Sequence, residues 1–346
     1  MLYNAASGAR AVDPMNAIGV RIRDADLSLA AMRDLVGVAE RAGYDSAWLP
    51  EGIGRDSIAE LIALLSAGQR ITLATGIVPV FAREPTLTSA AMATAAALAP
   101  GRVILGVGIG HKNSLVAGHG VAFSRPLKRT REFTEIARRL LAGESLAYAG
   151  DIFNIARFQV DCTPSVAVPV YVAALRPAML RMAGAVADGV LLNWATPQRI
   201  REAIEHVHAG ARAAGRAPQE VRIACYLRTC VSDDSERIEA ASREQIARYG
   251  SMLYYRNYFA EIGFAAEASA LEAAWSKGDA AAAAQVVDRR MIQALTIYGS
   301  AEQCRERLAV YRSAGLDLPI IAPFPIGEPI AQTFARTIAG CALAAQ

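Results

Sequence analysis

Short β-rich segments alternate with longer segments of helical period along most of the chain. Residues 71–78 (ITLATGIV) are rich in β-branched side chains, which favour strands. Residues 28–42 carry apolar positions at the spacing of an amphipathic helix, and Gly43 marks the end of that helix. The pattern predicts eight strands, at residues 17–22, 46–50, 71–78, 102–107, 168–173, 189–193, 221–228 and 318–323.

Helical sequence follows each predicted strand, and two further segments interrupt the alternation. Residues 146–160 alternate apolar and polar side chains around Ala149-Gly150-Asp151, a pattern that indicates a β-hairpin. Residues 235–287 show no convincing strand and include an alanine tract at 280–284, so they are predicted to form a helical insertion. The other predicted helices lie at residues 28–42, 58–67, 85–98, 126–141, 177–186, 197–214 and 301–314 and from residue 329.

A repeated strand–helix unit requires a parallel sheet with right-handed crossovers. Eight such units favour a closed (β/α)8 TIM barrel, and an open doubly wound sheet is the alternative. We expect a single domain over residues 1–346, in which segments 146–160 and 235–287 are loop insertions. Loops that follow the strands of such a barrel build its active face, so the candidate chemistry is sought there.

Composition narrows the classes of protein that fit this fold. Hydrophobic residues make up 53% of the chain and charged residues 20%, which excludes a disordered or fibrous protein. The 36 Lys+Arg and 33 Asp+Glu residues are scattered and leave a formal net charge of +3, too little for a nucleic-acid partner. No apolar run is long enough for a membrane span, and residues 1–15 lack the pattern of a secretory signal.

The cysteines and histidines show no metal-binding spacing, and the odd count of 5 cysteines argues against a disulfide framework. A reducing, cytoplasmic location is therefore expected, with no metal site and a small molecule as the partner. No nucleophile signature or phosphate-binding P-loop is present either. A bound cofactor is consequently expected to supply the chemistry.

At two predicted strand exits, the backbone is suited to bind a ligand. Residues 106–111 (GVGIGH) form a glycine-rich exit with no helix predicted directly behind it, and glycine permits close approach of the backbone to a ligand; a simple turn is the alternative. Residues 173–177 (AALRP) lead directly into a helix with Pro177 in its first turn. The N–H groups at such a helix start are suited to bind a phosphate; an ordinary strand-to-helix connection without a ligand is the alternative. Asn193-Trp194 and Arg228 end two further strands.

His111 and Glu51 are the candidate catalytic side chains. His111 follows the glycine-rich strand, and the ordinary pKa of histidine near neutrality suits proton transfer; a loop histidine without a role is the alternative. Glu51 follows the second strand, where its carboxylate is able to accept a hydrogen bond from a ligand or to cap the next helix.

The strand-end motifs, taken in order, resemble the bacterial luciferase-like flavin and deazaflavin oxidoreductases. The resemblance covers residues 17 to about 324. Its specificity comes from the order of the motifs rather than from any single one. The motifs are residues 42–51 (AGYDSAWLPE), 73–79 (LATGIVP) with 83–85 (REP), 101–110 (GRVILGVGIG), 171–174 (YVAA), 187–190 (ADGV) and 297–300 (IYGS).

The resemblance implies a barrel whose strand ends hold FMN or the deazaflavin coenzyme F-420. In the deazaflavin branch, the pair that matches Gly76-Ile77, followed here by Val78, forms a bulge with a non-prolyl cis peptide that backs the ring. The segment that matches residues 108–114, with Gly108, Gly110 and Ser114, lines the ring and its side chain. Ala173, Ala174, Leu175 and Arg176 match the phosphate loop.

The segment 123–133 favours the deazaflavin over FMN, because it is similar to helix starts in deazaflavin-dependent members and its cations suit a polyglutamate tail. A solvated helix face explains the same cations, which are Arg125, Lys128, Arg129 and Arg131. The predicted function is hydride transfer between C5 of coenzyme F-420 and a small organic substrate, in a homodimer. An FMN-dependent monooxygenase that uses dioxygen and a non-catalytic cofactor-binding member are the alternatives.

The chain departs from the family pattern where substrate chemistry takes place. Glu51-Gly52 replaces the Asp-His pair that usually follows the second strand, and His111 replaces an acidic residue. Leu175 and Arg176 replace glycines of the phosphate loop, and Arg176 adds a cation there. Substrate specificity is expected in segments 112–124 and 235–287. Segment 235–287 is rich in aromatic residues, which are Tyr249, Tyr254, Tyr255, Tyr258 and Phe259. Three roles are open for them: to cover the mouth of the barrel over the cofactor, to fill a helical core, or to form a dimer contact.

Overall fold

Eight parallel strands close into a barrel in the computed structural model, which describes residues 17–52 and 54–342. The segment 1–15, inspected above for a secretory signal, lies outside the described residues. The strands in chain order are β1 Gly19–Arg21, β2 Ser46–Leu49, β3 Thr72–Thr75, β4 Val78–Pro79, β5 Val103–Gly108, β6 Leu146–Ala149, β7 Asn154–Phe158, β8 Val170–Ala173, β9 Gly189–Asn193, β10 Arg222–Val231, β11 Thr296–Gly299 and β12 Leu318–Pro323.

Barrel closure is made by the pairing of the last strand with the first. Strand β12 pairs in parallel with β1, Gly19 opposite Ile320, and with β10, Ala224 opposite Leu318. The closed order is β1-β2-β3-β5-β8-β9-β10-β12. The predicted (β/α)8 barrel is confirmed, and the open-sheet alternative is wrong because no edge remains between β1 and β12.

Helices surround the barrel and begin and end close to the predicted residues. None of them, within the described part of the chain, is long and apolar enough to cross a membrane. They are α1 Leu29–Arg41, α2 Ser57–Leu64, α3 Pro85–Leu98, α4 Lys112–His119, α5 Pro126–Leu141, α6 Pro177–Val186, α7 Pro197–Ala213, α8 Ser235–Gly250, α9 Leu253–Glu261, α10 Ala265–Trp275, α11 Ala280–Val286, α12 Arg289–Leu295, α13 Ala301–Ser313 and α14 Ile330–Cys341.

Three local predictions need correction. The third strand, predicted over residues 71–78, ends at Thr75 and resumes as β4, because the chain bulges at Gly76-Ile77 and the Gly76 carbonyl bonds Tyr226 instead of a neighbouring strand. Helix α4 begins directly after His111, where no helix was predicted; it buries only Leu115, so its apolar pattern is weak. Strand β11 was not predicted as a strand because it has four residues and follows α12 without a turn.

One insertion follows a helix of the barrel and the other follows a strand, so the two decorate opposite ends of the barrel. The antiparallel hairpin β6–β7 follows helix α5 and packs back along it, as predicted for residues 146–160. Helices α8 to α11 follow strand β10, so they extend from the active face of the barrel. They form an apolar cluster of their own, which includes Leu175 and Trp194 from the ends of two barrel strands.

Aromatic rings fill the barrel interior below its mouth. Trp48 contacts Tyr171 and Tyr226 edge-to-face, with ring centroids 5.5 Å and 6.4 Å apart. The indole nitrogen of Trp48 donates a hydrogen bond of 2.9 Å to Ser46 Oγ. Gly19 leaves room for this ring, because a Cβ there would lie 3.1 Å from the indole nitrogen. The barrel is therefore a packed core that opens only above these rings.

The hairpin is held to helix α5 by one buried carboxylate. Glu132 accepts hydrogen bonds of 2.9–3.0 Å from the backbone N–H groups of Asp151, Ile152 and Phe153. Replacement of Glu132 by Ala leaves these donors without their acceptor, so we expect the free energy of unfolding to fall by about 2–4 kcal/mol. Denaturant unfolding of the two chains measures the difference.

Glu144→Ala is the matched control, because Glu144 makes a half-exposed ion pair with Arg139. Its expected cost is about 0–1 kcal/mol. Equal losses for the two variants would show that the Glu132 contacts do not hold the hairpin.

Candidate active site

The bulge between β3 and β4 forms one wall of the barrel mouth. The Gly76-Ile77 peptide is cis, as the resemblance implies. The carbonyl of Gly76 accepts a hydrogen bond of 2.8 Å from the hydroxyl of Tyr226, whose pKa is raised by burial, so the hydroxyl stays protonated. A Cβ on Gly76 would lie 2.0 Å from that hydroxyl, so glycine is required for this approach.

The glycine-rich strand β5 packs tightly against its neighbours. A Cβ on Gly106 would lie 2.1 Å from the carbonyl oxygen of Thr75. At Gly108 it would lie 2.9 Å from the Cβ of Ala173 and 3.0 Å from the side chain of Ile77. Gly110 has a φ of +65° and turns the chain into α4, on which Ser114 is half-buried. Gly106 and Gly108 therefore serve close packing, and Gly108 brings Ile77 and Ala173 together at the mouth.

His111 lies at the rim of the mouth, opposite the helical insertion. Its ring centroid is 6.0 Å from that of Tyr249 and 6.1 Å from that of Tyr255. His111 is exposed at the rim, yet the protein around its ring removes part of its hydration and lowers its pKa below the ordinary value of 6.5. The imidazole is therefore neutral at neutral pH and is suited to accept a proton.

Glu51 is engaged by neighbouring protein groups. Its carboxylate accepts hydrogen bonds from Arg83 Nε at 2.9 Å and from the Ser57 hydroxyl at 2.9 Å. It also accepts from the backbone N–H of Ser57 at the start of α2, at 3.2 Å. Arg83 forms a second ion pair with Asp56. Of the two interpretations of Glu51, the geometry matches the cap, because Glu51 accepts from the first N–H of α2 beside the N-cap residue Asp56.

The exit of β8 leads into α6 as predicted. Ala174 and Leu175 are buried, and the carbonyl of Leu175 accepts a hydrogen bond of 2.6 Å from the guanidinium of Arg199. Arg176 is the N-cap residue of α6, and no side chain caps the first N–H groups of this helix. The guanidinium of Arg176 pairs with Glu261 of α9 at 2.6 Å. The backbone donors are thus open to an anion, whereas the Arg176 cation already has a partner.

The insertion covers the mouth through its aromatic residues. Tyr255 accepts a hydrogen bond of 3.0 Å from the amide nitrogen of Asn193, and Tyr249 accepts one of 3.2 Å from Arg228. Tyr258 and Phe259 are fully buried within the insertion's own cluster. Tyr249 and Tyr255 thus lie toward the strand ends, whereas Tyr258 and Phe259 fill a helical core; the dimer contact stays a prediction.

Several polar atoms in this region are buried without a hydrogen-bond partner in the described chain. They are Asn193 Oδ1, Trp194 Nε1 and Arg228 Nη1. Trp194 also has a φ of +52°, which is uncommon for a bulky residue. Buried polar groups normally have partners. The ends of β9 and β10 therefore hold buried donors and an acceptor that a polar ligand could satisfy.

Arg21 is a residue of this mouth that the sequence reasoning missed. It is half-buried at the end of β1, and its charge acts on Tyr249 together with that of Arg228. The available signal was the alternation along β1, in which Ala17 and Gly19 face the barrel interior. Residue 21 shares that face because side chains alternate with a period of two.

Comparisons with known proteins agree with this geometry. Residues 14–318 match the family model described as luciferase-like monooxygenase. The chain is 30% identical over 307 residues to 5,10-methylenetetrahydromethanopterin reductase from Archaeoglobus fulgidus, covering 87% of this chain and 92% of the relative. It is 25% identical over 309 residues to a putative coenzyme F-420-dependent oxidoreductase of Mycobacterium tuberculosis, covering 83% and 89%.

A solved structure of coenzyme F-420-dependent tetrahydromethanopterin reductase from Methanopyrus kandleri has the same fold. Its TM-score against this chain is 0.79, with 24% identity and coverage of 95% of this chain and 97% of that one. The family model spans most of the barrel, including every strand exit described above. This chain therefore belongs to the family of luciferase-like monooxygenases.

Proposed function

We propose that this chain is an oxidoreductase that binds coenzyme F-420 in the barrel mouth and transfers a hydride between the deazaflavin C5 and a small organic substrate. The observation that carries the proposal is the bulge at Gly76-Ile77, where the Gly76 carbonyl is held by the buried hydroxyl of Tyr226. As the resemblance implies, this bulge lies where the deazaflavin branch of the family backs the ring. The names of the two curated relatives, a methylenetetrahydromethanopterin reductase and a putative F-420-dependent oxidoreductase, support the same assignment.

The residues present fit such a cofactor. The bulge of Gly76, Ile77 and Val78 would back the ring, and the unpartnered Asn193 and Trp194 atoms offer hydrogen bonds to a polar heterocycle. The uncapped N-terminus of α6 would take the phosphate. The residues that would line the cofactor, as the resemblance implies, are Gly108, Gly110, Ser114, Ala173, Ala174, Leu175 and Arg176.

The cofactor supplies a two-electron hydride donor or acceptor when bound, and the chain supplies position, shielding and proton transfer. The insertion shields the mouth from water with Tyr249 and Tyr255. His111, neutral at neutral pH, accepts the proton that a substrate releases as it is oxidised. Glu51 keeps Arg83 and the start of α2 in place, which makes it a positioning residue.

Cofactor choice is tested by fluorescence quenching of the purified chain with F-420 and with FMN. We expect micromolar binding of F-420 and none of FMN at the same concentrations. Tyr226→Phe removes the hydrogen bond to the Gly76 carbonyl and should weaken F-420 binding by about 0.5–1.5 kcal/mol. Tyr148→Phe is the matched control, because its hydroxyl bonds Glu135 beside the hairpin. Binding of FMN alone would replace the proposal with the FMN-dependent monooxygenase.

The role of His111 is tested by His111→Ala with F-420 bound. Loss of a positioned base should lower turnover about 10²–10⁴-fold and leave the cofactor affinity nearly unchanged. His119→Ala, on an exposed residue at the end of α4, is the control and should retain full turnover. Because the pKa of His111 is lowered, the neutral base persists below pH 6.5, and oxidation by the wild type should decline only at more acidic pH.

Two outcomes would contradict the catalytic assignment. Normal turnover of His111→Ala would show that His111 takes no part in the reaction. F-420 binding without turnover of any substrate in a broad screen of alcohols, aldehydes and imines would favour the non-catalytic alternative.

A further inference from the structure

Two arginines occupy inward-facing positions at the same level of the barrel. On β10, Ala224 and Tyr226 belong to the interior cluster with Trp48, and Arg228 is the next residue on that face. On β1, Gly19 faces Trp48, and Arg21 is the next residue on that face. Both side chains therefore point above the aromatic floor into the mouth.

The strand register places the two arginines on either side of a small residue. Arg228 is opposite Ala322 of β12, and Val20 is opposite Ile321, so Arg21 continues beside Ala322. Adjacent strands lie about 4.8 Å apart, which puts the two arginine backbones about 10 Å apart across β12. Between them, Ala322 contributes only a methyl group to the inner face of β12.

No carboxylate of the described chain forms an ion pair with either arginine. Arg228 is 6% exposed, and its one hydrogen bond goes to the hydroxyl of Tyr249. Its Nη1 is buried without a partner. Other partly buried arginines at this end of the barrel are neutralised, such as Arg23 by Glu60 and Arg83 by Glu51. The guanidinium carbon of Arg228 lies 4.5 Å from the ring centroid of Trp194 and 5.7 Å from that of Tyr249, so aromatic faces balance part of its charge. Within the described residues, Arg21 and Arg228 thus lack an anionic partner.

The neighbouring groups respond to this positive charge. Although burial opposes it, the charges of Arg228 and Arg21 lower the pKa of Tyr249. Burial and the charge of Arg228 lower the pKa of Arg21, against opposing effects of Tyr249, Tyr226 and Asp24. Like charges removed from water are unfavourable unless an anion compensates them. The mouth is therefore prepared for a negative group.

We infer that the substrate of the proposed oxidoreductase carries an anionic group, a carboxylate or a phosphate, which binds between Arg21 and Arg228 beside Tyr249. This inference rests on the proposed function, because the anion is assigned to the substrate of that reaction. The position is separate from the start of α6, where the cofactor phosphate is proposed to bind. Strand β8, which leads to α6, is two strands from β10 and four from β1 around the barrel.

The test measures anion binding by calorimetry with the full chain, in the absence and presence of F-420. The probes are benzoate with its neutral counterpart benzamide, and inorganic phosphate. We expect the wild type to bind benzoate or phosphate and to bind benzamide at least tenfold more weakly. The preferred anion identifies the group as carboxylate or phosphate.

Arginine variants then locate the site. Arg21→Met and Arg228→Met should weaken binding of the preferred anion at least tenfold and leave the F-420 dissociation constant within twofold. Arg33→Met, an exposed arginine of α1, is the matched control and should bind both ligands as the wild type does. Arg228→Lys retains the charge in case the Met variant does not fold, and it should retain part of the anion binding.

Each other outcome overturns the inference. Equal binding of benzoate and benzamide, together with no phosphate binding, would show that the wild type has no anion site. Loss of F-420 affinity in the arginine variants with unchanged anion affinity would assign the pair to the cofactor. If F-420 does not bind, the proposed function fails, whereas the titrations without cofactor still decide whether the anion site exists.

Discussion

The aromatic floor of Trp48, Tyr171 and Tyr226 is the packing constraint on which the rest of the site depends. These rings fill the barrel, so a ligand has access only to the layer above them. Tyr226 also contributes to the wall of the mouth, because its buried hydroxyl donates to the Gly76 carbonyl. That contact admits only glycine at position 76. The floor and the bulge are thus one unit, and a change in the rings would move the surface against which a planar ligand rests.

Above the floor, the barrel changes from apolar to charged within one layer of side chains. Asn193 and Arg228 follow Leu191 and Tyr226 on the inward faces of β9 and β10. The insertion covers this layer and supplies tyrosine hydroxyls to both residues. Electrostatic interactions are stronger where water is excluded, so a few uncompensated groups have a large effect on what binds.

The departures from the family pattern have structural counterparts. Glu51, which stands where the family usually has an aspartate, is tied to Arg83 and to the start of α2. His111 stands at the rim instead of an acidic residue and contacts the insertion. The barrel is retained while the strand ends differ, which is how one fold supports different substrates. Arg21 and Arg228 belong to the same set of strand-end residues.

Much of this architecture follows from local sequence. Alternation of strand and helix patterns requires a parallel sheet, and eight units favour the closed barrel. The family resemblance of the strand-end motifs implied the bulge at Gly76-Ile77, and the small residues before Pro177 indicated the exit at Ala173. These features are local in the chain: a strand or a turn is specified by residues within a few positions of each other. The hairpin over residues 146–160 was predictable for the same reason.

Tertiary structure decided which side chains meet. The approach of Arg21 to Arg228 depends on barrel closure, because β12 pairs with β1 on one side and with β10 on the other. This closure joins distant parts of the chain, such as Gly19 and Ile320. The ion pair between Glu51 and Arg83 depends on how α2 and α3 pack outside the barrel. Local pattern gives the face of a strand on which a residue lies. Whether that residue is neutralised, buried or left for a ligand depends on distant neighbours, which only the closed barrel brings together.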